Sequence, residues 1–349
     1  MHKLTKVGLS ALCGSLAAVS SANAGEMTVT GGVDMSYVSY GGANTGNPIG
    51  MGSNLTFKGA GELDNGWTFS VTTAMLNADA YSTTVVNLDM GSLGSLNINQ
   101  GDSTNGIDAV DDKMPTAWEE SWGAGLGTGV QLVRGIGTAN NIQYKSPTAM
   151  GITITGAVAF DVGSADVNDK GVSGTSGDDT GRGYDLLVNI NPSFGTEILS
   201  GLNIFAGAHN TERFNSNTAT VVNDRYEGVA GATFDIGPIA LGYQTSGIST
   251  GTQTNGAGSD WYKNSAFGVA FNVNDDLSIS YGERYSQNGD HNPNDAESVH
   301  MEITSLQAAY TMGGASVRVA DVEVDNASYQ LGTTDYDKEA TIISVSLAF

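Results

Sequence analysis

Apolar and polar residues alternate along most of the chain. The final segment places its larger side chains on one face: Thr341, Ile343, Val345, Leu347 and Phe349. The other face is small or polar, and Ile342 is its exception. A second run alternates in the same way from Tyr184 to Ile190, except that Leu187 breaks the pattern. A period of two predicts β-strands whose two faces meet different environments.

The same period recurs along the chain and predicts sixteen strands. They begin near Met27, Gly52, Gly66, Ser82, Ser95, Asn140, Gly151, Gly183, Leu199, Arg225, Ile239, Ser259, Leu277, Ser298, Ala315 and Lys338. A transmembrane strand needs about 9–11 residues, so the rest of the chain suits turns and loops. Because the number of strands is even, both ends of the barrel segment are expected on the same side of the sheet.

The connections between these strands are alternately short and long. Short ones, such as Asp64-Asn65-Gly66 and Gly237-Pro238, contain residues that supply a positive or preset φ. Long ones, such as 161–181 and 246–259, are rich in Gly, Ser and Asn. Alternation alone also fits a soluble β-sandwich, but this asymmetry favours an outer-membrane barrel. We therefore predict an all-β fold, a transmembrane antiparallel β-barrel of 16 strands with short periplasmic turns and long external loops.

The first 24 residues have the form of an export signal. Lys3 and Lys6 precede an apolar run, and Ala22-Asn23-Ala24 forms a small-x-small cleavage site. We predict a cleaved signal peptide at residues 1–24, a barrel at residues 25–349 and localisation in the cell outer membrane. The single cysteine, Cys13, lies within this signal, so the predicted mature chain has neither disulfides nor thiol chemistry.

Composition narrows the class of protein further. Charged residues make up 15% of the 349 residues, fewer than the roughly 25% of soluble domains. A mean hydropathy of −0.12 excludes repeated apolar helices of about 20 residues. Without Lys3 and Lys6, 12 basic residues remain against 37 acidic ones, a formal net charge of −25. So acidic a chain is not expected to bind nucleic acid.

Several short motifs occur in order along the chain. They are the first strand from Met27 to Met35, the turn Gly61-Glu-Leu-Asp-Asn-Gly-Trp67, the segment from Asn141 to Pro147, the Gly-rich turn before Ala315, and the terminal Phe349. In this order they resemble the general porin family of Gram-negative bacteria. The resemblance implies a sixteen-stranded barrel, a homotrimer, and a third external loop folded into the pore. It also implies that Phe349 is part of the signal read by the outer-membrane assembly machinery.

The longest predicted connection, residues 103–139, is the candidate for that third loop. It carries the acidic residues Asp108, Asp111, Asp112, Glu119 and Glu120. We predict that these carboxylates line the pore constriction and that Trp118 and Trp122 anchor the loop. The alternative is an ordinary solvated acidic loop. On the first interpretation, deleting residues 106–120 should raise conductance.

Five basic residues sit next to apolar residues that are expected to face lipid. They are Lys58, Lys145, Arg225, Arg284 and Arg318. A cation on the lipid face at mid-depth costs about 2–4 kcal/mol, so these side chains are expected to face the lumen. There they would oppose the acidic loop across the pore wall, with Arg134 as a further candidate at the end of the loop. The alternative is that they pair with lumen carboxylates such as Asp34.

The predicted function is passive diffusion of ions and small hydrophilic solutes through a water-filled channel that prefers cations. The expected partners are the lipid bilayer, two further copies of the chain in a homotrimer, and the solutes themselves. Two alternatives stay open: a substrate-selective channel of the same fold, and an exported β surface protein such as an adhesin. A selective channel should show a ladder of aromatic residues along the lumen, and an adhesin should show a sequence repeat of fixed period. The chain shows neither pattern.

No catalytic motif stands out, so we predict that the protein is not an enzyme. The three histidines of the predicted mature chain show no zinc-ligand spacing, and no Gly-x-Ser-x-Gly elbow occurs in strand–turn–helix context. No cofactor is expected. Clustered carboxylates such as Asp111 and Asp112 could weakly hold a hard cation such as Ca²⁺, although a solvated acidic patch is the simpler interpretation.

Overall fold

The structure is a computed structural model that describes residues 27–41, 47–77, 79–118, 126–163, 180–192, 199–214, 221–253, 260–289, 298–331 and 336–349. The predicted signal peptide lies outside the described residues. The helical segments among the described residues are single turns, such as Asp108–Val110 and Ala327–Tyr329. None of them is long and apolar enough to cross a membrane.

The described residues form eighteen strands. Their bounds are β1 Met27–Tyr40, β2 Ile49–Glu62, β3 Thr68–Leu76, β4 Asp79–Asp89, β5 Ser95–Gln100, β6 Asn141–Lys145, β7 Ile152–Ala159, β8 Thr180–Ile190, β9 Leu202–Arg213, β10 Val221–Val222, β11 Arg225–Ile236, β12 Ile239–Ser249, β13 Thr252–Gln253, β14 Trp261–Asn272, β15 Leu277–Gly289, β16 His300–Met312, β17 Ala315–Asp325 and β18 Lys338–Ala348.

Sixteen of these strands form one closed antiparallel barrel, as predicted. Each strand pairs with its neighbours along the chain, and β1 closes the barrel against β18, with Asp34 opposite Ser346. Closure pairs the backbone of every strand on both sides, which is what a hydrocarbon environment requires. The two remaining strands, β10 and β13, pair only with each other, outside the barrel sheet.

The two ends of the barrel differ in their connections. At one end, here called the turn end, lie the chain termini of the barrel and tight links such as Gly237-Pro238 and Gly313-Gly314. The other end, here called the loop end, carries the longest connection, between β5 and β6. The link between β3 and β4 is an exception at the loop end, because it consists of residues 77–78 alone. The predicted asymmetry is therefore confirmed.

Outward and inward side chains alternate along each strand. On β17, Val317 and Val319 point outward near the turn end, where they are 51% and 39% exposed. The same face carries Asp321, Glu323 and Asp325 towards the loop end, and these side chains are also exposed. The apolar part of this face, which suits lipid, thus lies nearer the turn end.

The two residues that break the alternation both point into the barrel. Ile342 is 4% exposed and belongs to an apolar cluster inside β16–β18, together with Met301 and Val322. Leu187 is also 4% exposed and packs beneath the connection between β5 and β6. Their inward apolar side chains indicate that something covers the inner wall at these places.

Candidate pore constriction

The connection between β5 and β6, residues 101–140 and here called loop 3, lies against the inner wall of the barrel. Its backbone N–H groups donate hydrogen bonds of 2.8–3.1 Å to inward side chains of five strands. The acceptors are Gln143 on β6, Asp185 on β8, Gln244 on β12, Ser280 on β15 and Gln307 on β16. The loop therefore follows the inside of the wall from β6 to β16.

Apolar packing holds the beginning of loop 3 on the wall. Ile107 is completely buried, in contact with a cluster that includes Leu187, Phe205 and Val229. Burying one such side chain contributes about 1.5–3 kcal/mol. Leu187 breaks the alternation in the sequence because loop 3, and not water, covers it.

One buried carboxylate holds both arms of loop 3. Oδ2 of Asp185 accepts hydrogen bonds from the N–H of Ile107, at 3.0 Å, and of Ile136, at 3.4 Å. Its Oδ1 lies 2.5 Å from Nδ1 of His209, and Nε2 of His209 lies 2.5 Å from the hydroxyl of Thr211. Because a carboxylate only accepts, His209 donates to Asp185 through Nδ1. The buried charge is thus fully hydrogen-bonded.

Two glycines allow loop 3 to approach Asp185 this closely. A Cβ on Gly106 would lie 1.8 Å from Oδ2 of Asp185, and one on Gly135 would lie 2.3 Å from the same atom. Both residues also have left-handed backbones, with φ of +51° and +55°. Glycine is the residue that tolerates both constraints.

A second carboxylate holds the returning arm of the loop. Oε2 of Glu227 on β11 accepts from the N–H of Arg134, at 2.7 Å, and of Gly135, at 3.0 Å. Its Oε1 lies 2.5 Å from Nε of Arg225. The side chain of Glu227 is 1% exposed, so the loop and Arg225 together satisfy its charge.

The predicted acidic residues of the loop have different surroundings. Asp108 and Asp111 line a cavity of about 630 Å³, together with Lys113 and Arg134. Burial raises the pKa of the Asp108 carboxyl from its ordinary value of 3.8 to about 8, the nearby Asp111 adds to this rise, and Arg134 opposes it. Asp108 is therefore mostly protonated at neutral pH, whereas Asp112 forms an ion pair with Arg284. Glu119 and Glu120 lie outside the described residues.

The predicted basic wall residues fall into two groups. Arg225, Arg284 and Arg318 each contact a carboxylate, on Glu227, Asp112 and Asp34 respectively. This is the pairing that the sequence left as an alternative, and it removes much of their net field from the lumen. Lys58 on β2 and Lys145 on β6 are exposed instead, on the inward positions of their strands.

Trp118 lies where the loop meets the far wall. Its backbone N–H donates to Oε1 of Gln307 at 3.1 Å, and the guanidinium of Arg318 lies 5.0 Å from the centre of its ring. The ring also packs against the apolar cluster inside β16–β18. These contacts attach Trp118 to the wall, and its role as an anchor of the loop stays a prediction. Trp122, the other predicted anchor, lies outside the described residues.

A second loop-end segment holds the later part of loop 3. The hydroxyl of Tyr329, between β17 and β18, accepts from the N–H of Gln131 at 3.0 Å and lies 2.7 Å from that of Ser286 on β15. Nζ of Lys338 donates to the carbonyl oxygens of Leu126 and Gly127, both at 3.0 Å. Sequence reasoning gave no signal for this contact between two loops.

Phe349 ends the chain beside the first strand. Its backbone exchanges hydrogen bonds of 3.0 and 3.1 Å with Gly31 of β1, and its side chain is 65% exposed. Its role in assembly stays a prediction. Among the described residues, no group of three or more His, Cys, Asp or Glu side chains is arranged to hold a metal ion, and the weak Ca²⁺ site near Asp111 and Asp112 likewise stays a prediction.

A closed sixteen-stranded barrel with a long loop docked on its inner wall defines the class of outer-membrane porins. The sequence model of the Gram-negative porin family matches residues 8–301. The chain belongs to this family, whose members are outer-membrane proteins and whose fold is that of non-enzymatic channels.

Solved structures show the same fold. A porin refined at 1.8 Å is 16% identical, with a TM-score of 0.65 over 93% of this chain and 100% of the other. OmpF of Salmonella typhi, in complex with daunomycin, is 13% identical, with a TM-score of 0.66 over 94% and 98%. OmpT of Vibrio cholerae in its trimer form is 12% identical, with a TM-score of 0.63 over 93% and 100%. A comparison with curated protein sequences finds no match.

Proposed function

We propose that this protein is a diffusion porin that passes ions and small hydrophilic solutes across the outer membrane and prefers cations. The observation that carries this proposal is the docking of loop 3 along the inside of a closed barrel by five wall side chains. A loop held there occupies part of the lumen and so narrows the channel. Asp108, Asp111 and Asp112 are the constriction residues within the described part of the chain.

The cation preference follows from the charge balance. The predicted mature chain carries a formal net charge of −25, and three of the five basic wall residues are paired with carboxylates. Unpaired negative charge at the channel mouth raises the local concentration of cations. Lys58 and Lys145 oppose this preference only locally.

The proposal includes assembly and export. A neighbouring structure is described in a trimer form, which supports a homotrimer for this chain. Cleavage after residue 24 would release the barrel segment, and Phe349 would contribute to its recognition during assembly. Size-exclusion chromatography of the folded protein and sequencing of its amino terminus test these two points.

The central test is single-channel conductance of the folded mature chain in planar bilayers, with reversal potential measured under a salt gradient. We expect stepwise ohmic currents and a cation-favouring reversal potential. Folded protein that inserts and gives no steps would overturn the channel and favour a surface protein. An anion-favouring reversal potential would overturn the cation preference alone.

A deletion variant tests the constriction. Removing residues 106–120 should raise the single-channel conductance, because the described part of this segment, residues 106–118, lies on the lumen side of the wall. Circular dichroism establishes that the variant retains its β-barrel. Unchanged conductance from a folded deletion variant would show that loop 3 does not limit the pore.

A further inference from the structure

We propose that Tyr329, in the connection between β17 and β18, is a positioning residue for the pore, because it fixes where residues 126–131 of loop 3 lie in the lumen. The constriction is then built from two loops and not from loop 3 alone. This inference deepens the proposed porin function and rests on it, since the place of a loop in the lumen affects permeation only if the lumen conducts.

The hydroxyl of Tyr329 belongs to a closed ring of four hydrogen bonds that joins both loops to the wall. The N–H of Gln131 donates to this hydroxyl at 3.0 Å, and Nδ2 of Asn264 on β14 donates to the carbonyl oxygen of Gln131 at 2.9 Å. The hydroxyl of Ser286 on β15 donates to Oδ1 of Asn264 at 2.6 Å. Because a hydroxyl carries one proton, Ser286 accepts from Tyr329, which lies 2.7 Å away. Each group in the ring therefore has its partner.

This ring of hydrogen bonds is shielded from water. Ser286, Asn264 and Tyr329 are all buried, and the ring of Tyr329 packs against that of Tyr262, with the two centres 5.2 Å apart. A buried donor or acceptor that loses its partner costs more free energy than one that water can satisfy. Gln131 therefore cannot leave the wall without leaving buried polar groups unpaired, so its main chain is held at one place.

The backbone of the connection between β17 and β18 is strained where it contacts loop 3. Ser328 and Tyr329 both have a φ of +57°, in the left-handed region that serine and tyrosine rarely adopt. Such conformations persist only where the surrounding structure imposes them. The N–H of Ser328 donates to the carbonyl oxygen of Thr128 on loop 3 at 2.7 Å, so the strained residues are those that touch the loop. Contact with loop 3, and not local preference, explains this backbone.

Other contacts hold loop 3 on either side of Gln131. Before it, Nζ of Lys338 binds two carbonyl oxygens of the loop. After it, Val133 is completely buried in the apolar cluster that also contains Ile107. Between these two attachments, Tyr329 meets the main chain of the loop at Gln131. The stretch that Tyr329 holds is therefore short, and its release need not unfold the rest of loop 3.

The first experiment removes the hydroxyl and retains the ring. In Tyr329→Phe the packing against Tyr262 is kept, but the N–H of Gln131 loses its partner. We expect chymotrypsin cleavage after Leu126, read by mass spectrometry, to be about tenfold faster than in the parent. Single-channel recordings should show several unequal conductance levels in place of one, because this part of the loop is no longer held at one place.

Tyr285→Phe is the matched control, because Tyr285 is 42% exposed and lies on the outer face of β15, beside Ser286. This variant should behave like the parent in both measurements. Slow cleavage and a single conductance level in Tyr329→Phe would overturn the proposal, and so would equal changes in Tyr329→Phe and Tyr285→Phe.

The second experiment separates positioning from general destabilisation by means of a disulfide between the two loops. A Cβ on Gly129 would lie 3.3 Å from Cβ of Ser328, just below the ~3.5–4.5 Å of disulfides, and the predicted mature chain has no cysteine. In Gly129→Cys/Ser328→Cys/Tyr329→Phe, oxidation should restore a single conductance level and reduction should abolish it again. The strain of the new side chains is present in both redox states, so the comparison isolates the link between the loops. Unequal levels that persist with the disulfide formed would overturn the proposal.

The cleavage measurement does not require a conducting channel, so the two proposals can fail separately. A folded parent that does not conduct would overturn the proposed function, while the cleavage rates would still decide whether Tyr329 positions loop 3. A conducting parent whose Tyr329→Phe variant keeps slow cleavage and one conductance level would overturn the positioning role and leave the diffusion porin intact.

Discussion

Asp112 of loop 3 forms an ion pair with Arg284 of β15, and the two side chains are only 2% and 1% exposed. A buried pair of this kind contributes little net stability by itself, because both charges have lost their hydration. Removing one partner strongly lowers the free energy of unfolding, because the other charge is left buried and unpaired. The pair therefore makes the position of loop 3 depend on both residues together.

Arg284→Gln is expected to lower the free energy of unfolding by about 3–5 kcal/mol and to raise the conductance as loop 3 leaves the wall. The double variant Asp112→Asn/Arg284→Gln should recover much of both effects, because no buried charge remains. Urea unfolding and single-channel recordings check this. If the double variant loses as much as the two single variants combined, the two side chains are not coupled.

Cation selectivity is expected to depend on pH through Asp108. Its pKa of about 8 means that raising the pH from 6 to 10 adds one negative charge beside the constriction. The reversal potential should shift in the cation-favouring direction through this range. Asp108→Asn should abolish the shift near pH 8, and a shift that persists in this variant would assign it to another group.

The same carboxyl should make loop docking weaker in alkali. Because the folded pKa of Asp108 lies above its ordinary value of 3.8, the folded state holds this proton more strongly than the unfolded state does. Its contribution to stability therefore falls as the pH rises from about 4 to about 8 and is least favourable above that. Protease cleavage within loop 3 should be faster at pH 9 than at pH 6 in the parent, and the difference should be smaller in Asp108→Asn.

Two neighbouring leucines, Leu186 and Leu187, lie on opposite faces of β8. Leu187→Ala should open a cavity under Ile107 and lower the free energy of unfolding by about 2–5 kcal/mol, with noisier single-channel currents. Leu186→Ala is the control, because Leu186 is 53% exposed on the outer face and does not support the loop. Equal current noise in the two variants would contradict the packing of loop 3 on Leu187.

Two glycines with nearly the same positive φ, Gly127 and Gly135, test the approach of loop 3 to Asp185. Gly135→Ala should undock the returning arm and raise the conductance, because its Cβ would lie 2.3 Å from Oδ2 of Asp185. Gly127 has a φ of +56° and no heavy atom within 4 Å of the corresponding Cβ position, so Gly127→Ala adds similar backbone strain without the clash. Single-channel conductance compares the two, and a rise of equal size in both would attribute the effect to strain alone.

The barrel was predictable from the sequence because its main signals are local. A period of two, together with turn residues at regular intervals, predicts sixteen strands, and loop 3 is visible as a gap between β5 and β6. Leu187 and Ile342 also signal the covered parts of the inner wall, since an apolar residue in an inward position needs a neighbour other than water. Such breaks in alternation are informative about what a barrel contains.

The contacts that hold loop 3 on the inner wall could not be predicted from local sequence patterns. Ile107 and Asp185 are 78 positions apart, and alternation shows that Asp185 faces inward without showing what it meets. The raised pKa of Asp108 was missed for the same reason, since its burial depends on how the loop folds back.

Wall side chains hold loop 3 largely by its backbone. The donors at Gly106, Ile107, Lys113, Ala117, Trp118, Arg134, Gly135 and Ile136 are main-chain N–H groups. Every residue except proline presents such a group, so these hydrogen bonds do not depend on the side chains at positions such as Lys113 and Ala117, whereas Ile107, Gly106 and Gly135 are held to their types by packing. The lumen chemistry can therefore diverge, by natural variation or by engineering, while the barrel that carries it stays constant.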